Sequence, residues 1–407
     1  MAWSRCWTPT HGVCCGWISR KLGTRKLWRW DMAAVERAAV IGAGFAGLAA
    51  AIGLARAGVH VEVIERFPDV SALGSGITLQ GNALRCLENL GVGDQVREDS
   101  WSFNKLSFRD PDDGHIIATV EGQRAGGPEF PATAGMYRPS LAKILTDRAR
   151  ELGVRFRWDA KVEHIEQSED EVTILTARGE RISAELVVAA DGLNSTARGL
   201  LGMPEKPQVL GMGIWRAFVP RLPEITHSEL TYGGPVHYAG YCPTSPDTMY
   251  VYLVEDLVDR SAMDHESQVR TVRELASGYP GPWAQIAEML DGEAQVNYTA
   301  ITRLLVPAPW NRGRVVLIGD AAHCCPPTLA QGAAQSLEDA AVLEDVIARY
   351  DKLEPALWDE FHARRIERAS SVVNGSVLLS EWQRERRPGS DAAGLMRDIA
   401  TMLAVPA

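Results

Sequence analysis

The sequence predicts an α/β fold in two interleaved parts. One is a Rossmann-type dinucleotide-binding domain, discontinuous along the chain, and the other is an inserted, mostly antiparallel β-sheet domain. Three observations carry the prediction. A strand, glycine turn, helix and strand follow one another in "RAAVIGAGFAGLAAAIGLARAGVHVEVIE". A second buried strand, "RVVLIGD", returns only near residue 314. Between them, from about Pro207 to Glu255, the chain changes to aromatic-rich alternating strands separated by Pro and Gly.

The elements follow in order. "RAAVIG" is a short apolar strand, "FAGLAAAIGLARAG" an Ala/Leu-rich helix and "VHVEVIE" an alternating strand, which together make a βαβ unit. Helices are expected over 82–90 and 141–152, the second with Pro139 just before it. From Val154 to Ser183 the period drops to two, through "VRFRW", "VEHIE" and "EVTILTARGERI", which predicts an antiparallel meander. "ELVVAADG" returns to a continuous apolar run of the buried, parallel type. "GIWRAFVPR", "PVHYAGYCP" and "TMYVYLVE" then predict a separate sheet, followed by helices over 266–276 and 283–290. A helix from about Gln331 follows "RVVLIGD". The expected division is 32–205 with 291–350 for the dinucleotide domain, 206–290 for the inserted sheet domain and 351–407 for C-terminal helices.

Composition narrows the function. At 407 residues the chain has room for two or three domains, and 46% hydrophobic with 23% charged residues is ordinary globular usage. A net charge of -10 argues against a nucleic-acid or membrane-surface binder, because both need a basic footprint, and no run is long and apolar enough for stable membrane insertion. Seven cysteines without a CxxC pair fit a reducing, cytoplasmic setting. Residues 1–31 are basic and Trp-rich without periodicity, and are expected to be a disordered leader or a start-site artefact.

The first glycine cluster carries the clearest chemistry. In "GAGFAG", Gly42 permits a tight turn, Gly44 lets a pyrophosphate approach the backbone and Gly47 lets helix and strand pack closely. The helix N-terminus then favours an anion. Glu65 ends the next strand about twenty residues on, where it can accept ribose hydroxyls. An acid there disfavours a 2'-phosphate, leaving FAD or NAD.

Four more stretches follow in order: "GSGITLQGNALRCLENLG", "MYRPSLAKIL", "ELVVAADGLNSTAR" and "GRVVLIGDAAHCCPPTLAQGAAQSLEDA". With Glu65 and Arg66, the set resembles the single-component FAD-dependent aromatic hydroxylases, the para-hydroxybenzoate hydroxylase fold that includes salicylate and hydroxynicotinate monooxygenases. The resemblance implies that Gly42, Gly44, Gly47 and Glu65 hold the ADP half of FAD, and that Ala46 and Arg66 also belong to the cofactor site. Arg138 would also contact the cofactor, Asp191 and Gly192 would stand near the pyrophosphate, and Asp320 would bind a ribityl hydroxyl. The backbone of Gln331, Gly332, Ala333 and Ala334 would face the flavin ring. Ala330 and Ala334 depart from the family's frequent Gly and Asn, so a side-chain contact at 334 is lost. The cysteines at 324 and 325 lack the further ligands of a metal site, and no metal is expected at His323, Cys324 and Cys325.

The resemblance further implies a monooxygenase that uses NADH or NADPH as a transient co-substrate and O2. It would hydroxylate a phenolic or pyridine-type aromatic through a flavin hydroperoxide. Candidates on the substrate side are Arg216, His237, Tyr238, Tyr241 and Pro327. A homodimer is compatible with this reading. The alternatives are a related oxygenase acting on a larger natural product by epoxidation, N- or Baeyer–Villiger oxygenation, and a flavin-binding module without catalysis.

Overall fold

Strand Arg37–Ile41 is apolar from Ala38 onward and buried on both faces, which only a central position in a covered sheet allows. The computed structural model describes residues 33–70, 75–292, 294–387 and 389–407, so the expectation for 1–31 lies outside the described residues. Strand Arg37–Ile41 pairs in parallel with His60–Ile64 on one side and Leu186–Ala189 on the other. Val315–Leu317 joins Leu186–Ala189 in parallel, and Asn311–Arg312 adds an antiparallel edge. Arg155–Arg157 extends the other edge in parallel with His60–Ile64. The sheet thus gathers its strands from both ends of the described chain.

Helix Phe45–Arg56 is buried along most of its length, as its small apolar residues allow. It packs against helices Arg138–Glu151 and Gly332–Arg349. Pro139 lies in the first turn of Arg138–Glu151 rather than before it, where its missing N–H costs nothing. The expected meander contains Val162–Gln167, Val172–Thr176 and Arg181–Ala184. Its expected first strand, "VRFRW", instead joins the parallel sheet, because a three-residue alternating run carries no sign of its partner.

The largest sheet has eight strands. Its order is His323–Cys324, Gln295–Leu305, Gln208–Pro220, Thr248–Asp256, Tyr238–Pro243, Ser228–Tyr232, Lys105–Arg109 and Ile116–Glu121. Every pair is antiparallel except Ser228–Tyr232 with Lys105–Arg109. Strands Lys105–Arg109, Ile116–Glu121 and Gln295–Leu305 were expected within 32–205 and 291–350, yet they pair here. Long-range pairing decides which sheet a strand joins, and no local pattern encodes it.

Strand alternation gives this sheet two unlike faces. Trp215, Ala217, Val219, Ala239, Tyr241, Met249, Val251 and Leu253 form a sealed core with helices His265–Ser277 and Trp283–Met289. The opposite face carries Arg216, Phe218, Tyr238, Tyr250 and Tyr252, next to Tyr232 and Phe108. Phe108, Arg216, Phe218 and Tyr252 remain partly accessible and Tyr232 is exposed. Helix Pro355–Glu385 and helix Ala392–Ala404 pack around Leu329 and Cys325.

Candidate active site

The site begins at the glycine turn after Arg37–Ile41. Gly42 adopts φ +103°, and a Cβ there would lie 2.5 Å from the Ala190 carbonyl oxygen. A Cβ on Gly47 would lie 1.9 Å from the Gly42 oxygen. These two glycines are required by protein packing alone. Gly44 differs, because its Cβ would meet nothing within 4 Å. Its open side lies at the N-terminus of Phe45–Arg56, which suits a pyrophosphate approaching the backbone.

Glu65 closes the turn from below. Its Oε2 accepts the Ala43 N–H at 2.7 Å and its Oε1 accepts the Phe67 N–H at 3.0 Å. A carboxylate has about four lone-pair sites, so capacity for ribose hydroxyls remains. Arg66 is exposed and lies over Phe67 at 4.8 Å. Ala46 is buried against the second glycine turn: a Cβ on Gly319, at φ +59°, would approach Ala46 Cβ to 2.8 Å and Ser336 Oγ to 2.9 Å. The N-terminal ends of helices Phe45–Arg56 and Gly332–Arg349 therefore converge at Gly319.

Asp320 follows that turn and is half-buried. Burial raises its pKa, while His323 and Arg138 oppose the rise. A carboxylate so placed gains from a hydroxyl donor. The Arg138 guanidinium lies 4.9 Å from the Phe45 ring centre, and the residue as a whole is exposed. Desolvation lowers its pKa even so, with Asp320 opposing and Arg216 assisting, which places these charges near one another.

Asp191 and Gly192 behave differently from each other. The Asp191 carboxylate accepts Ser195 Oγ at 2.6 Å and the Thr196 and Ala197 N–H groups at 2.7 and 3.0 Å. Its side chain is thus committed to helix Thr196–Leu200, leaving the backbone for any cofactor contact. Gly192, at φ +79°, is open where a Cβ would lie. Arg198, in the same motif, donates from Nη1 to the Ala321 carbonyl and from Nη2 to the Leu193 carbonyl, both at 2.9 Å. It ties this loop to the Asp320 turn.

A buried polar network lies under helix Gly332–Arg349. His323 Nε2 donates to Asp339 Oδ2 at 2.6 Å, and the same oxygen accepts the Gly319 N–H at 2.8 Å. Arg365, fully buried, donates to Asp339 and Glu338, both at 2.8 Å, and Arg368 adds bonds to Glu338. Asn82 bridges Gln331 and Glu338 at 3.0 Å each. Despite its burial, these donors hold Asp339 at a pKa of about 2. The expected roles of Gln331, Gly332, Ala333 and Ala334 are through the backbone, and this network fixes the helix start that presents them. The burial of Glu338 and Asp339 has no local signal in the sequence, because their partners Arg365 and Arg368 lie on another helix.

The adjoining thiols are passive. Burial pushes Cys325 up to about 12, and Cys324 also rises, chiefly by burial and then by Asp320. Pro327 opens the 3-10 turn Pro327–Leu329, which Thr328 Oγ1 anchors to the Ser376 carbonyl at 2.8 Å. Ala330 then takes a left-handed conformation, φ 50° and ψ 36°, which explains why glycine suits this position.

On the open sheet face, Arg216 donates to Thr299 Oγ1 at 2.7 Å, and its charge opposes the rise that burial gives the Tyr250 pKa. Tyr238 shares this face. Tyr241 does not: three residues along a strand reverses the side, and its hydroxyl donates to buried Glu229 at 2.5 Å within the sealed core. Tyr241 is therefore removed from the substrate-side candidates. His237 bonds Asp256 at 3.1 Å just before Tyr238–Pro243. Tyr250, Tyr252 and Tyr232 were missed, because their side depends on register.

The FAD binding domain family model matches residues 36–376. The chain belongs to this family. It is 29% identical over 390 residues to 3-hydroxybenzoate 6-hydroxylase of Klebsiella oxytoca, covering 91% of this chain and 93% of the relative. It is also 29% identical to 6-hydroxynicotinate 3-monooxygenase of Pseudomonas fluorescens, covering 84% and 90%. Klebsiella pneumoniae HpxO, solved with FAD and uric acid, matches the fold with a TM-score of 0.78 at 24% identity, covering 90% of this chain and 92% of HpxO. Among the described residues, no helix is long and apolar enough to cross a membrane.

Proposed function

We propose that the chain is an FAD-dependent monooxygenase that hydroxylates a phenolic or pyridine-type aromatic, consuming NAD(P)H and O2. The observation that carries this reading is a junction. Arg138 lies over Phe45 at the glycine turn, and its charge is coupled to Asp320 on one side and to Arg216 and Tyr250 on the other. Cofactor supports and the open sheet face therefore meet at one charge. The hydroxybenzoate and hydroxynicotinate relatives support the substrate class.

In this assignment Gly42, Gly44, Gly47 and Glu65 would hold the ADP half of FAD, and Asp320 would take a ribityl hydroxyl. The N–H groups at the start of Gly332–Arg349 would favour negative charge on the ring. Bound FAD, once reduced by NAD(P)H, supplies the activation of oxygen. Arg216 orients an anionic or phenolic ring and holds its oxygen negative, since a phenolate is the better nucleophile. Tyr238 and Tyr250 have raised pKa values, chiefly through burial, so both act as neutral hydrogen-bonding groups rather than bases.

The test is direct. The purified protein should be yellow, and a panel of phenols and hydroxypyridines should include compounds that accelerate NAD(P)H oxidation and gain one oxygen atom. A colourless protein that takes up no FAD would overturn the reading. So would bound FAD with no stimulation by any member of the panel.

A further inference from the structure

The open sheet face continues well beyond Arg216 and Tyr250. Tyr250 lies 5.2 Å from Tyr252 between ring centres, Tyr252 6.4 Å from Tyr238, and Tyr238 6.0 Å from Tyr232. Phe108 stacks on Tyr232 at 5.9 Å. The register puts Tyr232 opposite Tyr238, and Tyr238 opposite Val254. Two strand spacings and four residue rises therefore separate Tyr250 from Tyr232, about 17 Å. That distance exceeds what one aromatic ring can span.

The lining is apolar and uncharged between its ends. Leu230 faces the same way as Tyr232, and a Cβ on Gly240 would lie 2.5 Å from the Tyr252 hydroxyl, so Gly240 makes room for that ring. At the far end, Gln383 of helix Pro355–Glu385 donates from Nε2 to the Tyr232 hydroxyl at 3.4 Å. Its Oε1 is buried and has no hydrogen-bond donor among the described residues. Such an acceptor is destabilising if left unpaired. Asp256, which is exposed, pairs with His237 and Arg384 nearby.

We propose that Tyr252, Tyr238, Tyr232 and Gln383 form a second subsite, which takes an uncharged apolar arm carried by the aromatic substrate. The arm runs from the reacting ring along the tyrosines and ends in an N–H or O–H donor for Gln383 Oε1. This inference rests on the monooxygenase reading, because Arg216 and Tyr250 must hold the ring for the arm to point along the sheet. Aromatic faces suit such an arm because they bury large apolar area while their hydroxyls stay protonated.

The test titrates the FAD-loaded enzyme with phenol and its para-alkyl homologues up to octylphenol, following the absorbance of bound flavin. Kd should fall at least twofold with each added methylene, short of the roughly fourfold limit for full burial. Octylphenol bearing a terminal hydroxyl should bind more tightly than octylphenol, and Gln383→Leu should erase that preference. Tyr232→Ala should flatten the dependence on arm length, and Tyr232→Phe should restore it. A phenol response that is independent of arm length, or one that Tyr232→Ala weakens equally for phenol and octylphenol, would overturn the subsite alone. No flavin response to any phenol would instead count against the aromatic-substrate reading, and with it the subsite.

Discussion

The two faces of the eight-stranded sheet are made from alternate residues of the same strands, yet one is sealed while the other leaves Arg216, Phe218, Tyr252 and Tyr232 accessible around buried Tyr238 and Tyr250. On the sealed face Trp215, Tyr241 and Trp283 pack together, and the buried Tyr241 hydroxyl has its own carboxylate partner. On the other face Tyr232 is exposed, Tyr252 and Arg216 are partly accessible, and Arg216 lies close enough to Arg138 to act on its charge. Aromatic content alone therefore says little about binding. What separates the faces is parity along the strand and whether helices cover the result.

The same contrast recurs at the glycine turn, and there it should produce the largest effect. Gly47→Ala drives a methyl group against the Gly42 oxygen, a backbone atom that cannot move aside cheaply. The variant should lose bound FAD completely and melt well below the parent protein. Gly44→Ala meets no protein atom. It should keep the parent stability within about 0.5 kcal/mol while FAD affinity falls, since only the cofactor is opposed. Equal losses in both variants, measured by flavin content and thermal melting, would break the distinction between sealed and open positions.

Asp339 tests a sealed charge. Asp339→Asn leaves Arg365 buried with one acid fewer, and removing one partner of such a pair costs about 3–5 kcal/mol. The acid limb should change as well. The folded-state pKa of about 2 lies below the ordinary 3.8, so ionised Asp339 contributes stability above the ordinary value. That contribution is lost as pH falls from about 4 towards 2. Denaturant midpoints measured across this window should drop for the parent and change less for Asp339→Asn; parallel curves would exclude the assigned role.

A paired exchange on the sheet is smaller and compares the faces directly. Arg216→Ala should lower kcat/KM on the order of a hundredfold, in line with loss of an oriented charge-stabilising donor, while FAD stays bound. Tyr241→Phe should do the reverse. It strips a hydrogen bond from buried Glu229, costing about 1–3 kcal/mol of stability, and should leave kcat/KM within about twofold. If Tyr241→Phe lowered kcat/KM as far as Arg216→Ala without loss of stability, the assignment of faces would be wrong.

The cofactor end was legible in the sequence because its constraints are local. "GAGFAG" and "LIGD" each need glycine within a few residues of a strand end, and both turns stand where the pattern placed them. The substrate face was not legible to the same degree. The spacing of three in "VHYAGYCP" puts Tyr238 and Tyr241 on opposite sides, but which side is sealed depends on the register with Thr248–Asp256 and the covering helices. Strand Gln295–Leu305 likewise finds its place through Gln208–Pro220, far away in sequence. The Glu338 and Asp339 network depends on Arg365 and Arg368 from another helix.

Ala330 gives the smallest effect and separates backbone strain from both kinds of surface. Its left-handed conformation costs an L-residue roughly 1–2 kcal/mol, a penalty glycine does not carry. Ala330→Gly also frees the unfolded chain, which returns about 0.4–1 kcal/mol of that gain. The net stabilisation should be about 0.5–1 kcal/mol, a rise of roughly 1–2 °C in melting temperature for a chain of this size. The Cβ is not needed to hold the turn, because Thr328 bonds Ser376 and Leu329 packs against helices Pro355–Glu385 and Ala392–Ala404. Flavin content should therefore be unchanged. A lower melting temperature would mean that the alanine methyl makes contacts worth more than the strain it imposes.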